Sequence, residues 1–410
     1  MTQPARPADQ VIEIFLVAIE ESGDRLGAGL MQALRLVCGD RVRFAGVGGR
    51  GMAQEGIASL FPIDDLAIMG FTSIPRRVPL ILRRIRETAD AVIAARPDAL
   101  VIIDSPDFTH RVARRVRRAL PALPIIDYVS PSVWAWRPGR ARSMRSYVDH
   151  VLALLPFEPK AHARLGGPPC SYVGHPLVED AAKLRPNQEE ARRRRADPPL
   201  VVLLPGSRSV EIRRLLAMFM ATIDLAATRY GPIEVVLPTV PHLLHRVRQA
   251  TAGWSMRPRI VIEPADKQAA FRHARAALAA SGTVTLELAV AGVPTVVAYK
   301  VSRIEELVVR PLIRVPSIVL ANLVLGEDVM PEFVEQHRRP EGASPVKRFP
   351  ATPERLAEAL VPLLSDTPER RAQTDAFARL DAILGIGGTS PSMQAAEIVL
   401  DIARRRSLPP

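Results

Sequence analysis

Two stretches of the chain carry the residue types that hold a phosphorylated ligand. In "LLPGSRS" (203–209) an apolar run ends in a Pro-Gly turn, and Ser207 and Arg208 follow where a helix would begin. Gly206 permits close backbone approach, a helix N-terminus offers free N–H groups, and Arg208 can grip an oxyanion with two parallel hydrogen bonds. "ASGTVTLEL" (280–288) repeats the plan with Ser281, Gly282 and Thr283, and Glu287 follows one helical turn later. Residues four apart share a helix face, and a carboxylate placed there accepts both hydroxyls of a ribose. Either stretch alone also reads as a plain strand-to-helix turn with serine as N-cap. Two in succession, neither a Walker A loop nor G-x-G-x-x-G, point to a nucleoside diphosphate.

Carboxylates gather at other strand ends. In "IIDSPDFTH" (102–110) Asp104 closes an apolar strand and Asp107 follows a proline. A partly desolvated carboxylate at a strand tip suits a general base, and it equally suits a turn cap or an arginine partner. "AIEESGDRLGAG" (18–29) adds Glu20, Glu21, Ser22 and Asp24 at the tip of the first strand, where Ser22 or Asp24 also fits an N-cap. His175 in "VGHP" follows another strand near a domain boundary. No His, Cys, Asp or Glu set has metal-ligand spacing, so neither a bound metal nor a cofactor is expected.

The third feature is "YVSPSVWAWRPGR" (128–140). Trp134 and Trp136, two of three tryptophans in the chain, lead into Arg137, Arg140 and Arg142. Flat apolar side chains beside cations suit a ligand that is both greasy and phosphorylated, provided the segment is extended and the rings share a face. Packing at an interdomain hinge suits the two rings as well. "LAIMGFTSIPRRVPLILRRIR" (66–86) mixes Met69 and other apolar residues with five arginines. That pattern fits a helix and loop in an anionic membrane interface, or an ordinary amphipathic helix covering a sheet.

Strands and helices must position these residues. "VIEIFLVA" (11–18), "RVRFAGVGG" (41–49), "DALVIID" (98–104), "LPIIDYVS" (123–130) and "HVLALLP" (150–156) are apolar runs bounded by turn residues. Continuous apolarity marks parallel strands covered on both faces, and helical patterns between the runs predict a doubly wound α/β domain. A second series begins with "PLVVLLPGSR" (199–208). The limits read from the sequence are a Rossmann-like domain over 1–180, a linker over 181–199, a second Rossmann-like domain over 200–352, and helices over 353–410 returning to cover the first domain. The linker contains the run Arg192 to Arg195. Ligands in such sheets bind beyond the carboxyl ends of the strands, so two facing domains would share one interdomain cleft.

Composition bounds the partners. A chain of 410 residues suits two domains, and 48% hydrophobic with 24% charged residues excludes a disordered class. Lysine plus arginine number 55 against 43 acids, a net charge of +12 that points to an anionic partner or to a cationic surface without one. Only 5% of residues are aromatic, the arginines are dispersed, and no nucleic-acid motif is recognisable, so no nucleic acid is expected. Two cysteines without a CxxC support neither a disulfide framework nor a zinc site. The first ten residues lack the apolar core of a secretory signal, and no apolar run reaches the ~18 residues of a spanning helix. A cytoplasmic protein able to lie against a membrane is expected.

"ESGDRLGAGL", "GVGGRGMAQEG", "LAIMGF", "IDSPDF", "YVSPSVWAWRPGR", "LPFE", "VGHP", "LLPGSRSVEI" and "ASGTVTLEL", in this order over about residues 13 to 335, resemble the lipid-A-disaccharide synthase family. The resemblance implies a GT-B glycosyltransferase with two Rossmann-like domains. It implies metal-free, inverting transfer of 2,3-diacylglucosamine from UDP-2,3-diacylglucosamine to 2,3-diacylglucosamine 1-phosphate, giving a β(1→6) disaccharide and UDP. On the family's pattern Asp104 is the base, with Glu20 beside it. Gly206, Ser207, Arg208, Ser281, Gly282, Thr283 and Asn322 are assigned to UDP, and Glu287 to its ribose. Ser22, Asp24, Met69, Trp134, Trp136 and Arg137 are assigned to the acceptor. The partners implied are the two acylated sugars and, peripherally, the anionic inner membrane of a Gram-negative bacterium; a homodimer is left open.

The chain departs from the pattern at Ile19, where the family carries glycine, and at Glu21, where it carries a small residue. Leu320-Ala321-Asn322 stands for Leu-Pro-Asn, and Glu335 with Gln336 for a single glutamine. The runner-up is another GT-B enzyme on a UDP-amino sugar, such as a UDP-N-acetylglucosamine 2-epimerase, which the Trp-rich segment speaks against.

Overall fold

The apolar runs become two six-stranded sheets, every adjacent pair parallel. The structure is a computed structural model, and it describes residues 11–66, 74–300, 317–335 and 350–406. The first sheet holds β1 (Ile12–Ala18), β2 (Val42–Val47), β3 (Ala99–Ile103), β4 (Ile125–Tyr128), β5 (His150–Ala153) and β6 (Cys170–Tyr172), in the order β2-β1-β3-β4-β5-β6. The second holds β7 (Leu200–Leu204), β8 (Glu234–Pro238), β9 (Arg259–Val261), β10 (Ala276–Ala280), β11 (Thr295–Lys300) and β12 (Glu332–Glu335), in the order β12-β11-β10-β7-β8-β9.

Both sheets are apolar on both faces because helices cover both. In the first, helix Glu21–Cys38 and helix Pro391–Arg406 pack on one side through Leu30, Leu34, Val399 and Ala403. Helices Ile74–Ala95 and Pro106–Ala119 pack on the other through Ile85, Ala89, Val112 and Val116. In the second, helix Ser209–Tyr230 buries Ile212, Leu215, Leu216, Phe219, Ile223 and Ala226, one stripe at helical spacing. Helix Pro353–Leu363 joins it on that side through Leu356 and Leu360.

Each sheet has one place where the strand order reverses, which is where the loops beyond two neighbouring strands splay apart and leave a crevice. In the first sheet it lies between β1 and β3, and Ala18 pairs with Ile103 there. Residues 19–24 and 104–107 therefore leave the sheet side by side. In the second it lies between β7 and β10, where Leu204 pairs with Ala279. That register places Pro205–Arg208 beside Ser281–Thr283.

The domain limits differ from the sequence reading in two respects. The chain divides into one unit of residues 1–176 with 388–410 and a second of 177–387. Helix Pro391–Arg406 alone of the C-terminal helices belongs to the first unit, because its apolar side meets helix Glu21–Cys38; helices over 353–384 stay on the second sheet. Nor is 181–199 a linker. Helix Leu177–Leu184 packs on helices Pro264–His273 and Val284–Val290, and helix Gln188–Arg195 opens with a capping box between Asn187 and Glu190. The Arg194 guanidinium donates to the carbonyls of Phe271 (2.9 Å), Arg272 (3.2 Å), Ala291 (3.0 Å) and Gly292 (3.1 Å). It satisfies the orphan carbonyls at two helix C-termini.

Arg194→Met should remove the guanidinium from all four carbonyls, of which Phe271 O keeps the Ala274 N–H, and lower stability by about 2 kcal/mol or more, read from the denaturation midpoint. Arg192→Ala and Arg195→Ala, at exposed positions, should change it by under about 0.5 kcal/mol.

Candidate active site

At the first crevice Asp104 and Ser105 both adopt left-handed backbone, with φ of 53° and 48°. At the tip of neighbouring β4, Val129 has φ of 90°, which a β-branched residue resists strongly. Such conformations cost about 1–3 kcal/mol each and persist only where surroundings over-determine them. Here the surroundings are hydrogen bonds. Asp104 N–H donates to Tyr128 O and Val129 N–H to Leu152 O, each at 3.0 Å, while the Thr109 hydroxyl donates to Asp104 O at 2.7 Å.

The twisted turn aims the Asp104 carboxylate. Oδ1 accepts the Ser105 N–H at 2.7 Å, and Oδ2 accepts the Ser22 hydroxyl at 3.5 Å. The Ser105 hydroxyl donates to Glu20 Oε1 at 2.8 Å. Glu20, Ser22, Asp104 and Ser105 thus form one polar cluster, drawn from the loops after β1 and β3. Oδ2 is the less engaged oxygen of Asp104. Ile19 packs half-buried against the apolar core beside it, which is what a β-branched residue at this position does instead of allowing close backbone approach.

Asp24 has a different task. It is buried and accepts the N–H groups of Gly49 (2.7 Å), Gly51 (2.7 Å) and Met52 (3.0 Å), capping the short helix Arg50–Gln54 across 25 residues of sequence. Its assignment to the acceptor is corrected: both of its oxygens are engaged within the fold. His175 is half-buried, and desolvation first, then the charge of Arg25, pushes it down to about 4, so it is neutral at physiological pH. Met69 lies outside the described residues.

The tryptophan segment is a turn rather than an extended run, so the two rings share no common face. Trp134 is half-buried, edge-on to Phe157 at 5.1 Å, and its indole N–H donates to Glu158 Oε1 at 3.0 Å. Trp136 is 39% exposed, with the Arg137 guanidinium 4.4 Å and that of Arg140 5.9 Å from its ring. Arg140 also donates to Asp107 Oδ1 at 3.0 Å, which ties this turn to the helix that opens at Asp104–Ser105. Trp136 and Arg137 keep the apolar and cationic character expected of them; Trp134 is held inward.

In the second unit a cavity of about 370 Å³ opens at the crevice between β7 and β10. Gly206, Ser207, Arg208, Ser281, Gly282, Thr283 and Glu287 all line it. Its chemistry differs from the sequence reading at one wall. The N–H groups of Ser207 and Arg208 are not free: both donate to Glu211 Oε2, at 2.9 and 3.1 Å. Gly206, at φ of 116°, sits so close under that carboxylate that a Cβ would fall 2.3 Å from Oε2. Glycine is required there by the backbone conformation and by Glu211. The Arg208 side chain is 82% exposed and reaches Glu211 only at 3.4 Å, leaving it able to swing.

The Ser281 hydroxyl donates to Ile318 O at 2.6 Å, and Glu287 receives Lys267 Nζ at 2.6 Å. Asn322 is not among the residues lining the cavity. It is 2% exposed, and its amide donates to Met330 O and Glu332 Oε1 while accepting from Val329 N and Met330 N. Its assignment to UDP is corrected, since all its hydrogen-bonding groups already have partners inside the fold. Among the described residues no three His, Cys, Asp or Glu side chains stand together as metal ligands.

Three polar cavity residues escaped the sequence reading: Glu211, Lys267 and Thr239, whose hydroxyl is buried without a partner. Glu211 had a signal, standing three residues past the N-cap where a capping glutamate reaches back. Lys267 and Thr239 follow β9 and β8, and no spacing pattern links them to β7 or β10.

Glu158 carries a pH prediction. Burial raises its carboxyl from the ordinary 4.5 to about 7, against the opposing pull of the Trp134 and Leu155 hydrogen bonds. Between those values the folded chain holds a proton that the unfolded chain has lost. Stability should therefore fall as pH rises from about 4.5 through about 7, by up to roughly 3 kcal/mol, and Glu158→Gln should flatten the slope. Denaturation midpoints across pH, with tryptophan emission as probe, test it; an equal slope in the variant refutes it.

Comparison with known proteins agrees with this geometry. A family model described as lipid-A-disaccharide synthetase matches residues 14–349. The lipid-A-disaccharide synthase of Nitrobacter hamburgensis is 60% identical over 388 residues, covering 95% of each chain. Among solved structures, MurG of Acinetobacter baumannii is similar with a TM-score of 0.53 at 14% identity, over 96% of this chain and 99% of that one. UDP-GlcNAc 2-epimerase of Methanocaldococcus jannaschii, solved with UDP-GlcNAc and UDP, has a TM-score of 0.57 at 11% identity, over 96% and 100%. The two structures share the GT-B fold with this chain and nothing closer, so the epimerase alternative is not favoured. Identity at this level across nearly the whole length places the chain in the lipid-A-disaccharide synthase family of UDP-sugar glycosyltransferases.

Proposed function

We propose that the chain moves 2,3-diacylglucosamine from UDP-2,3-diacylglucosamine to 2,3-diacylglucosamine 1-phosphate, with Asp104 as the base. One observation carries the reading. Each unit gathers its polar residues at its own strand-order reversal: a carboxylate cluster in the first, a cation-containing cavity in the second. Asp104 Oδ2 takes the proton of the acceptor's 6-hydroxyl as that oxygen attacks the anomeric carbon. The bond to UDP breaks in the same displacement, so configuration inverts and no covalent enzyme intermediate forms. Glu20 anchors Ser105, whose N–H occupies Oδ1 and leaves Oδ2 for the acceptor.

On the donor side Glu287 accepts the ribose hydroxyls. Arg208, exposed and loosely paired, bears the charge that develops on the leaving diphosphate, with the Ser281–Thr283 loop opposite. Glu211 must turn away before the Ser207 and Arg208 N–H groups can serve an oxyanion. Trp136 with Arg137 offers apolar surface and positive charge to the acceptor's acyl and phosphate groups.

The same reading places the chain on the cytoplasmic face of an anionic inner membrane. Helix Ile74–Ala95 turns Ile81, Ile85, Ala89 and Val92 to the core, while Val78, Leu82, Arg83 and Arg86 face outward. Arg84 faces inward, paired with Asp65 and Glu87 and 4.5 Å from the Phe61 ring. No helix among the described residues is long and apolar enough to cross a membrane.

Asp104→Asn is the appropriate test of the base, since asparagine tolerates left-handed backbone. Transfer between the two acylated, radiolabelled sugars should fall about 10²- to 10⁴-fold while UDP binding stays within about twofold. Retained transfer would remove Asp104 from the role, and a wild-type chain that forms no disaccharide would remove the substrates. Arg83→Glu with Arg86→Glu should weaken binding to anionic vesicles and abolish its salt dependence at that site; unchanged binding refutes the docking face.

A further inference from the structure

We infer that Lys267 is the positioning residue that makes the donor cavity selective for ribonucleotides, by holding the Glu287 carboxylate in its receiving orientation. The inference rests on the reading of Glu287 as the ribose acceptor.

Lys267 and Glu287 come from different helices. Lys267 lies in helix Pro264–His273, which follows β9, and Glu287 lies in helix Val284–Val290, which follows β10. Both line the cavity, and Lys267 Nζ meets Glu287 Oε2 at 2.6 Å. The side chains are 34% and 24% exposed, so the pair is partly withdrawn from water and stronger than a surface pair. The ammonium also lies 5.4 Å from the Phe271 ring, one helical turn along, which restricts where the long lysine stem can go.

A carboxylate that clamps a vicinal diol must turn its plane so that both oxygens face the two hydroxyls. A free glutamate has three rotatable bonds to freeze before it can do so, and freezing them weakens binding. The lysine has already frozen them. Each carboxylate oxygen accepts two hydrogen bonds, so Oε2 can keep the ammonium and still take a ribose hydroxyl, while Oε1 takes the second. A substrate lacking the 2′-hydroxyl would leave one of these acceptors unfilled beside a cation that fixes it in place, and would bind less well.

The experiment compares affinities for UDP and 2′-deoxy-UDP by calorimetry on the full chain, in the wild type, Lys267→Met, Lys267→Arg, Glu287→Gln and the Met/Gln double variant. The expected result is a ribo-over-deoxy preference that Lys267→Met reduces by about five- to tenfold and Lys267→Arg partly restores. The double variant should lose no more preference than Glu287→Gln alone, because the lysine acts through the glutamate. Equal weakening of both nucleotides by Lys267→Met would overturn the inference in favour of direct phosphate contact. Unchanged affinities with a lowered melting temperature would overturn it in favour of a purely structural pair. If Glu287→Gln keeps the full preference, the ribose reading itself falls; if that variant loses it and Lys267→Met does not, the lysine inference falls alone. Should Lys267→Met fail to fold, the Arg variant and Lys267→Gln carry the same comparison.

Discussion

A parallel sheet covered by helices on both faces has no surface left for chemistry except the ends of its strands. Every other feature of this chain follows from that restriction. The interior positions of β3, β7 and β10 are buried apolar residues throughout, and the first residue able to be polar is the one after the last rung. Asp104, Gly206 and Ser281 stand at or within two residues of that position on their strands. A strand tip alone is crowded by the helix that follows it. Only where the strand order reverses do neighbouring helices leave on opposite faces, and both clusters lie at such a point.

Working at a strand tip has a cost, and the first unit shows where it falls. A carboxylate following a buried strand would normally turn into the next helix and cap it. Two consecutive left-handed residues prevent this: they direct Asp104 sideways, toward the loop after β1, where Ser22 and Glu20 wait. The strain of Asp104 and Val129 is held by ladder-like bonds to Tyr128 and Leu152, so the placement of Asp104 depends on β4 and β5.

The second unit solves an electrostatic problem instead. A cavity able to hold a diphosphate gathers positive charge and free N–H groups, which repel one another or stand unsatisfied when the ligand leaves. Here each is matched from within. Glu211 occupies the N–H groups after β7 and approaches Arg208, and Glu287 takes Lys267. On the proposed reading a diphosphate must displace Glu211 from those N–H groups rather than enter a vacant cradle, while Glu287 keeps Lys267. On that reading the exchange limits how tightly a diphosphate would bind, which suits a transferase that has to release its nucleotide after every turnover.

How much of this the sequence discloses depends on the distance between partners. Continuous apolar runs disclose the strands, and residues just beyond them disclose Asp104, Arg208 and Glu287, because strand and site are adjacent in the chain. Misreadings occur where a side chain's partner is remote. Trp134 looks like a ligand surface until Glu158, 24 residues on, takes its N–H. The arginine run looks like a solvated linker until Arg194 meets carbonyls nearly 100 residues away. Asp24 is another such case, committed to backbone N–H groups 25 to 28 residues away, whereas Asn322 finds its partners only seven to ten residues on. The family resemblance inherits this ambiguity. "SPSVWAW" and "LPFE" are two of its motifs, and the Trp134–Glu158 bond joins one to the other. A motif held together in this way reports a packing requirement at Trp134 and leaves Trp136 and Arg137, two and three residues further along, as its exposed part.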